Sequence, residues 1–193
     1  MTRRRITLAL PILLLVLASA APTATAAKRT EEHCVFHLVP ISVDDVTSTI
    51  DAVLQESGCF TTFEEAVAAG TGTDVTGLSL EGAGLTSEML AAADEIPGNG
   101  DVLIGIEYNQ LGYEGSSFSY YATAGCASTA WQVSFVGTTW NNLFESGKGF
   151  GACDRNRKFA GSNFIGDSIL CMPNCSNYGS LRNDVSSLKW RAD

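Results

Sequence analysis

The most reactive residues in this chain are six cysteines, two histidines and a few adjacent carboxylates. The cysteines are Cys34, Cys59, Cys126, Cys153, Cys171 and Cys175. An even thiol count reads as a disulfide set in an oxidising compartment. Sequence alone leaves all pairings open, and clustering suggests Cys34–Cys59, Cys126–Cys153 and Cys171–Cys175. Closing 126 to 153 restricts the unfolded chain by ~3 kcal/mol on the loop-entropy model. Zinc ligation is the competing chemistry, and it wants paired Cys/His spacings. Cys171-x3-Cys175 is the one such pair, and His33 and His37 lie far from it in sequence.

Catalysis finds little footing. Residues 101–193 contain no histidine, so a Ser-His-Asp or Cys-His arrangement within them is excluded. His33 and His37 flank Cys34, a spacing that suits a strand or turn beside a disulfide. Glu64 and Glu65 are adjacent, and adjacent residues on a helix point apart. No glycine-rich phosphate loop appears. The Asn174-Cys175-Ser176 sequon would be a chance match were the source bacterial. The expectation is a protein that is not an enzyme.

Export is written at the start. Arg3-Arg4-Arg5 is followed by an apolar run over 6–16, then by Ala18-Ser19-Ala20 and Ala24-Thr25-Ala26. That order predicts a signal peptide over 1–26, cut after Ala26 or Ala20. The run is too short to span a bilayer, which takes ~20 apolar residues. Removing it takes away Arg3, Arg4 and Arg5 and no acid, so the formal charge of −9 falls to −12. An acidic chain is not expected to bind nucleic acid or an anionic membrane. It favours cationic partners or metal ions.

The elements that must position these residues fall into two regions. Over 27–100 the sequence predicts a small helical region or a pro-region. Ser42 with Asp45 reads as a capping box, and Val43, Val46, Ile50, Val53 and Leu54 recur at helical spacing up to a stop at Gly58. A second helix begins at Thr61 or Thr62 and ends at Gly70. A third is expected over 87–96, before Pro97-Gly98-Asn99-Gly100. Over 101–193 the pattern turns to short strands, at 102–106, 118–121 and 131–136, with turn residues between them. That predicts an all-β sandwich or barrel.

A repeat runs through this second region. Tyr108, Tyr113, Gly115 and Ser117 match Phe159, Phe164, Gly166 and Ser168 in type and spacing. Each segment precedes a second recurring element, residues 140–146 and then 181–187. Tyr108 to Asn141 is 33 positions and Phe159 to Arg182 is 23, which puts about ten extra residues in the first unit, around 122–130. The physical reading is a folded hairpin. Two aromatics pack across a tight bend, Gly supplies a positive φ, and Ser tethers the bend to backbone. One unit cannot bury both faces, so two should share a core.

These segments resemble the Greek-key signature of βγ-crystallin-like domains, aromatic-x4-aromatic-x-Gly. The resemblance covers about residues 102–191 and implies a mainly β fold, a two-unit Greek-key sandwich at the C-terminus. The second elements resemble that family's calcium loop, Asn/Asp-Asn/Asp-x-x-Ser/Thr-Ser. The resemblance thus implies a possible calcium site drawing on Asn141, Asn142, Glu145, Asp184 and Ser186. Glu145 and Arg182 depart from the loop pattern, and a cation at Arg182 opposes a divalent ion. The closing run, residues 183–190, is similar to secreted actinobacterial members grouped with the streptomycete metalloproteinase inhibitors. This implies a secreted, monomeric, non-enzymatic inhibitor of a secreted metalloprotease, using loops 138–147 and 174–183. Two other roles follow from the same resemblance, a calcium-binding structural or stress module and an antimicrobial or killer-type toxin.

Overall fold

A computed structural model describes residues 31–44, 47–72, 84–86, 88–89 and 101–193. The leader over 1–26, the breaker 97–100 and, save for Glu88 and Met89, the third expected helix lie outside the described residues.

The first expected helix is a β-hairpin. Strand β1 (His33–Asp44) pairs antiparallel with β2 (Thr49–Phe60). Val43, Val46, Ile50 and Val53 mimic a helical period, but β-branched residues pack better on a pleated surface than in a helix. Cys34 lies directly opposite Cys59, so their disulfide locks the register. Gly58 ends no helix. It sits inside β2 at a register shift, where Val35 faces Gly58 and Phe36 faces Glu56. Among its described residues, the small helical region expected before the β domain is therefore mostly strand.

Helix α1 (Phe63–Thr71) does form where expected. The Glu65 N–H donates to Thr62 Oγ1 at 3.2 Å, and the Thr62 N–H donates to Glu65 Oε2 at 3.3 Å, a reciprocal cap. The helix runs past Gly70 to a left-handed cap at Gly72 (φ 70°). Gly70 serves close packing instead: a Cβ there would meet the Tyr121 ring at 2.2 Å. Phe63, Ala66 and Val67 pack with Val35, Ile106 and Tyr121 in a second, smaller core. No helix among the described residues is long and apolar enough to cross a membrane.

Seven further strands follow: β3 (Val102–Tyr108), β4 (Ser117–Ala122), β5 (Ala130–Val133), β6 (Ser146–Gly149), β7 (Arg155–Phe159), β8 (Ser168–Cys171) and β9 (Ser187–Arg191). The nine join in the order β6-β3-β4-β1-β2-β5-β9-β7-β8. The hairpin enters as a wedge. β1 pairs parallel with β4 through His33↔Ser117 to His37↔Tyr121, and β2 pairs parallel with β5 through Thr49↔Ala130 to Ala52↔Val133. The ten extra residues expected around 122–130 now have a cause. The chain from β4 to β5 must cross two inserted strands, each about 4.8 Å wide.

One core joins residues from both ends of this order, among them Ile104, Phe118, Tyr120, Trp131, Leu188 and Trp190. The two ends therefore face one another. Gly105 on β3 lies under Trp190 of β9, where a Cβ would come within 2.4 Å of the indole nitrogen. Between the layers Lys158 donates to Glu107 Oε1, and the Tyr178 hydroxyl donates to Glu107 Oε2. All three are buried. Burial pushes the Glu107 carboxyl above its usual range, with the Lys158 ammonium pulling it back.

Candidate functional site

The two repeated segments fold alike. Tyr108 and Tyr113 meet edge to face, with centroids 5.8 Å apart and planes at 67°; Phe159 and Phe164 do so at 5.7 Å and 69°. Gly115 and Gly166 close the bends at φ +74° and +79°. Positive φ there suits glycine, since other residues pay steric strain in that region.

The tethering serines are not Ser117 and Ser168. Ser146 Oγ accepts from the Tyr113 N–H at 3.0 Å and donates to the Gln110 carbonyl at 2.6 Å. Ser187 Oγ accepts from the Phe164 N–H at 3.1 Å and donates to the Gly161 carbonyl at 2.7 Å. Both lie at the ends of the second recurring elements, at matched places in the repeat, and that match was the available signal. Ser117 Oγ instead meets His33 Nδ1 at 2.9 Å, and Ser168 Oγ accepts from Arg157 at 3.2 Å.

Each second element also reaches across to the other. The Asn142 N–H donates to the Val185 carbonyl (3.1 Å) and the Asn183 N–H to the Phe144 carbonyl (3.0 Å). The Glu145 N–H bonds Tyr108 O, and the Ser186 N–H bonds Phe159 O, both at 2.8 Å. The two loops thus lie side by side, related by exchange.

Their side chains divide the five expected calcium ligands. Glu145 is taken: Arg182 donates to Oε2 from Nε (3.1 Å) and from its terminal nitrogen (3.0 Å), and Asn183 donates to Oε1 at 2.7 Å. A guanidinium on a carboxylate neutralises the charge a divalent ion would need, so this half does not fit calcium. The other half differs. The Asn141 Oδ1 is buried without a hydrogen-bond partner, and Ser186 is buried nearby in the chain pairing. An orphaned buried oxygen is the one observation compatible with a cation there. Asn142 and Asp184 are exposed.

The cysteines form the three expected disulfides, Cys34–Cys59, Cys126–Cys153 and Cys171–Cys175. Glu32 beside Cys34 and Cys59 is an exposed acid next to a disulfide, with no thiolate to offer a metal. Sequence reasoning missed the His33–Ser117 pair, which strand pairing across 84 positions creates. Ser117 is fully buried, so its hydroxyl cannot reach a substrate. His37 bonds Asp101 at 2.6 Å.

No family model matches this chain, and no curated protein matches it. Among solved structures it is similar to a βγ-crystallin from an archaeon, at 22% identity over 46% of this chain and 98% of that one, with a TM-score of 0.34. It is similar to the N-terminal domain of protein S at 18% identity, over 46% and 96%, with a TM-score of 0.35. A βγ-crystallin from Ciona intestinalis aligns at 20% identity, over 45% and 98%, with a TM-score of 0.34. The chain is mainly β. Its folded hairpins, serine tethers and reciprocally bonded loops agree with the Greek-key resemblance read from its sequence.

Proposed function

We propose that this chain is an exported, non-enzymatic binding module in which two Greek-key units share one core, and that an internal ion pair stands in for calcium at one of its two loop sites. The Arg182–Glu145–Asn183 cluster carries this reading, because it occupies the charge and the oxygens that an ion would use. In the first unit β3, β4 and β6 pair together, and in the second β7, β8 and β9 do; β5 crosses to β9, and Cys175 bridges back to Gly147. That exchange supports the two-unit description. Three disulfides support export.

Calorimetry of the secreted form tests it. Any rise in melting temperature with millimolar calcium is expected to be lost in Asn141→Ala, since only that half keeps a free oxygen. A rise of several degrees that survives Asn141→Ala would place calcium at the Arg182 half and overturn the reading.

Inhibition of a secreted metalloprotease is the finer role we infer from the sequence resemblance, and one observation favours it. The register of β1 with β4 ends at His37↔Tyr121, and farther along β1 the side chains of Val39, Ile41 and Val43 are exposed. A protruding extended edge is the form in which chains enter protease clefts. Loops 138–147 and 174–183 are poorer candidates, since Phe144, Tyr178 and Leu181 within them belong to the core. Ile41→Asp is expected to abolish inhibition across a panel of thermolysin-like enzymes. Absence of inhibition by the wild-type chain would remove this role and leave the module itself standing.

A further inference from the structure

The described residues hold seven Lys and Arg: Lys148, Arg155, Arg157, Lys158, Arg182, Lys189 and Arg191. Lys148 and Lys158 are buried, and Arg182 is engaged by Glu145. The remaining four all lie on one surface. On β7 and β9 the inward residues Asn156, Lys158, Leu188 and Trp190 are buried, so Arg155, Arg157, Lys189 and Arg191 point outward. They stand directly opposite in like-charged pairs, Arg155↔Arg191 and Arg157↔Lys189. Neighbouring strands lie about 5 Å apart and alternate residues about 7 Å apart, so the four charges form a compact square.

Opposed like charges on a sheet cost stability. Their neutralisation by the described residues is partial. Arg155 meets Asp193 at 2.7 Å, and that acid is 77% exposed at the chain end. Arg157 donates to the hydroxyl of Ser168. Lys189 lies 4.0 Å above the Phe164 ring; burial lowers its ammonium pKa, Asp51 offsets this in part, and Arg157 and Arg191 add to the lowering. A basic square on so acidic a chain is a surface prepared for an anion.

A cleft of about 510 Å³ adjoins it. Lys189 and Arg191 form one wall, and Thr47, Thr49, Ser128 and Thr129 bring hydroxyls to the others. Asp44, on the hairpin side, is the acid in its lining. Hydroxyls beside guanidinium forks suit sugar hydroxyls beside carboxylates.

We propose that this face binds an acidic polysaccharide, a uronate-type chain whose carboxylates lie on Arg155, Arg157, Lys189 and Arg191 and whose sugar rings enter the adjoining cleft. The proposal rests on the binding-module reading and names its partner. Charge density favours a polysaccharide over nucleic acid. DNA carries a charge about every 1.7 Å of axis, and the strongly negative remainder of the chain repels so dense a polyanion more than one with a single carboxylate per sugar.

Titration calorimetry of the secreted protein with polygalacturonate oligomers tests this. Binding is expected at low salt and should weaken at least about tenfold at ~0.5 M salt, where the screening length falls below ~5 Å. Arg157→Gln with Arg191→Gln should weaken it at least about tenfold, with the near-ultraviolet circular dichroism unchanged. Should that pair lower the melting temperature, Lys189→Gln alone must still weaken binding. No binding of polygalacturonate, equal binding by the variants, or tighter binding of polyphosphate or duplex DNA would each overturn the proposal. None of these outcomes bears on the calcium response of the loops, so the two readings fail separately.

Discussion

The two hairpin repeats match in the ring geometry and glycine φ of their bends and are quite unlike in their surroundings. The first, β3 to β6, is opened between β4 and β5, and the β1–β2 hairpin fills the gap. The second, β7 to β9, has no such wedge among the described residues. There the turn after β8 is closed by Cys171–Cys175, and Cys175 bridges directly to Gly147. The folded bend is therefore an autonomous local solution that tolerates a changed neighbour. What surrounds it decides how each unit is closed.

The disulfides should break the comparison most strongly. Cys34 and Cys59 are 25 positions apart and hold the wedge, whereas Cys171 and Cys175 are 4 apart. Replacing Cys34 and Cys59 by serine is expected to cost about 3 kcal/mol in urea denaturation, and replacing Cys171 and Cys175 about 2. Equal costs would mean that the wedge is not held by its cross-link.

The bend glycines come next. A Cβ at Gly115 would meet Asn109 Oδ1 at 2.3 Å, while at Gly166 the nearest atoms are at an ordinary 3.5 Å. Both carry the strain of positive φ. Gly166→Ala is expected to cost about 1 kcal/mol and Gly115→Ala about 2–3. The reverse order would show that the bends are not equivalent in the way their angles suggest.

Acid should have the smallest effect, and on the wedge it acts through His33. Burial holds the His33 imidazole below its usual value of 6.5, opposed in part by Glu31. The folded chain then binds this proton less readily than the unfolded one. Stability carried by the neutral ring is whole above pH 6.5 and is lost as the pH falls toward the folded value. His33→Asn should flatten that part of the profile between roughly pH 7 and 5. An unchanged profile would show that Ser117 holds the ring with no protonation penalty.

Much of this was legible where the physics is local. The Thr62/Glu65 cap, the bend aromatics and the bend glycines each act within a few residues, and each sits where its type demands. The hairpin 33–60 was not legible, because Val43, Val46, Ile50 and Val53 satisfy a helical period as well as a strand. Partners more than 80 positions away, such as Ser117 opposite His33, settle the choice. The serine tethers were half legible: the repeat exposed Ser146 and Ser187 as matched positions, but not that they reach back to the bend.

By itself the sequence determined the repeated bends and the capped helix at Phe63–Thr71, which short-range sterics set, and its clustering suggested the three cysteine pairs. The tertiary structure alone decided that the first strands wedge into the sheet, that Arg182 lands on Glu145, and that four of the seven described cations share one face. Those outcomes depend on register between distant strands. A shift of one residue would turn Arg155, Arg157, Lys189 and Arg191 to the opposite face, and only the packed core fixes that register.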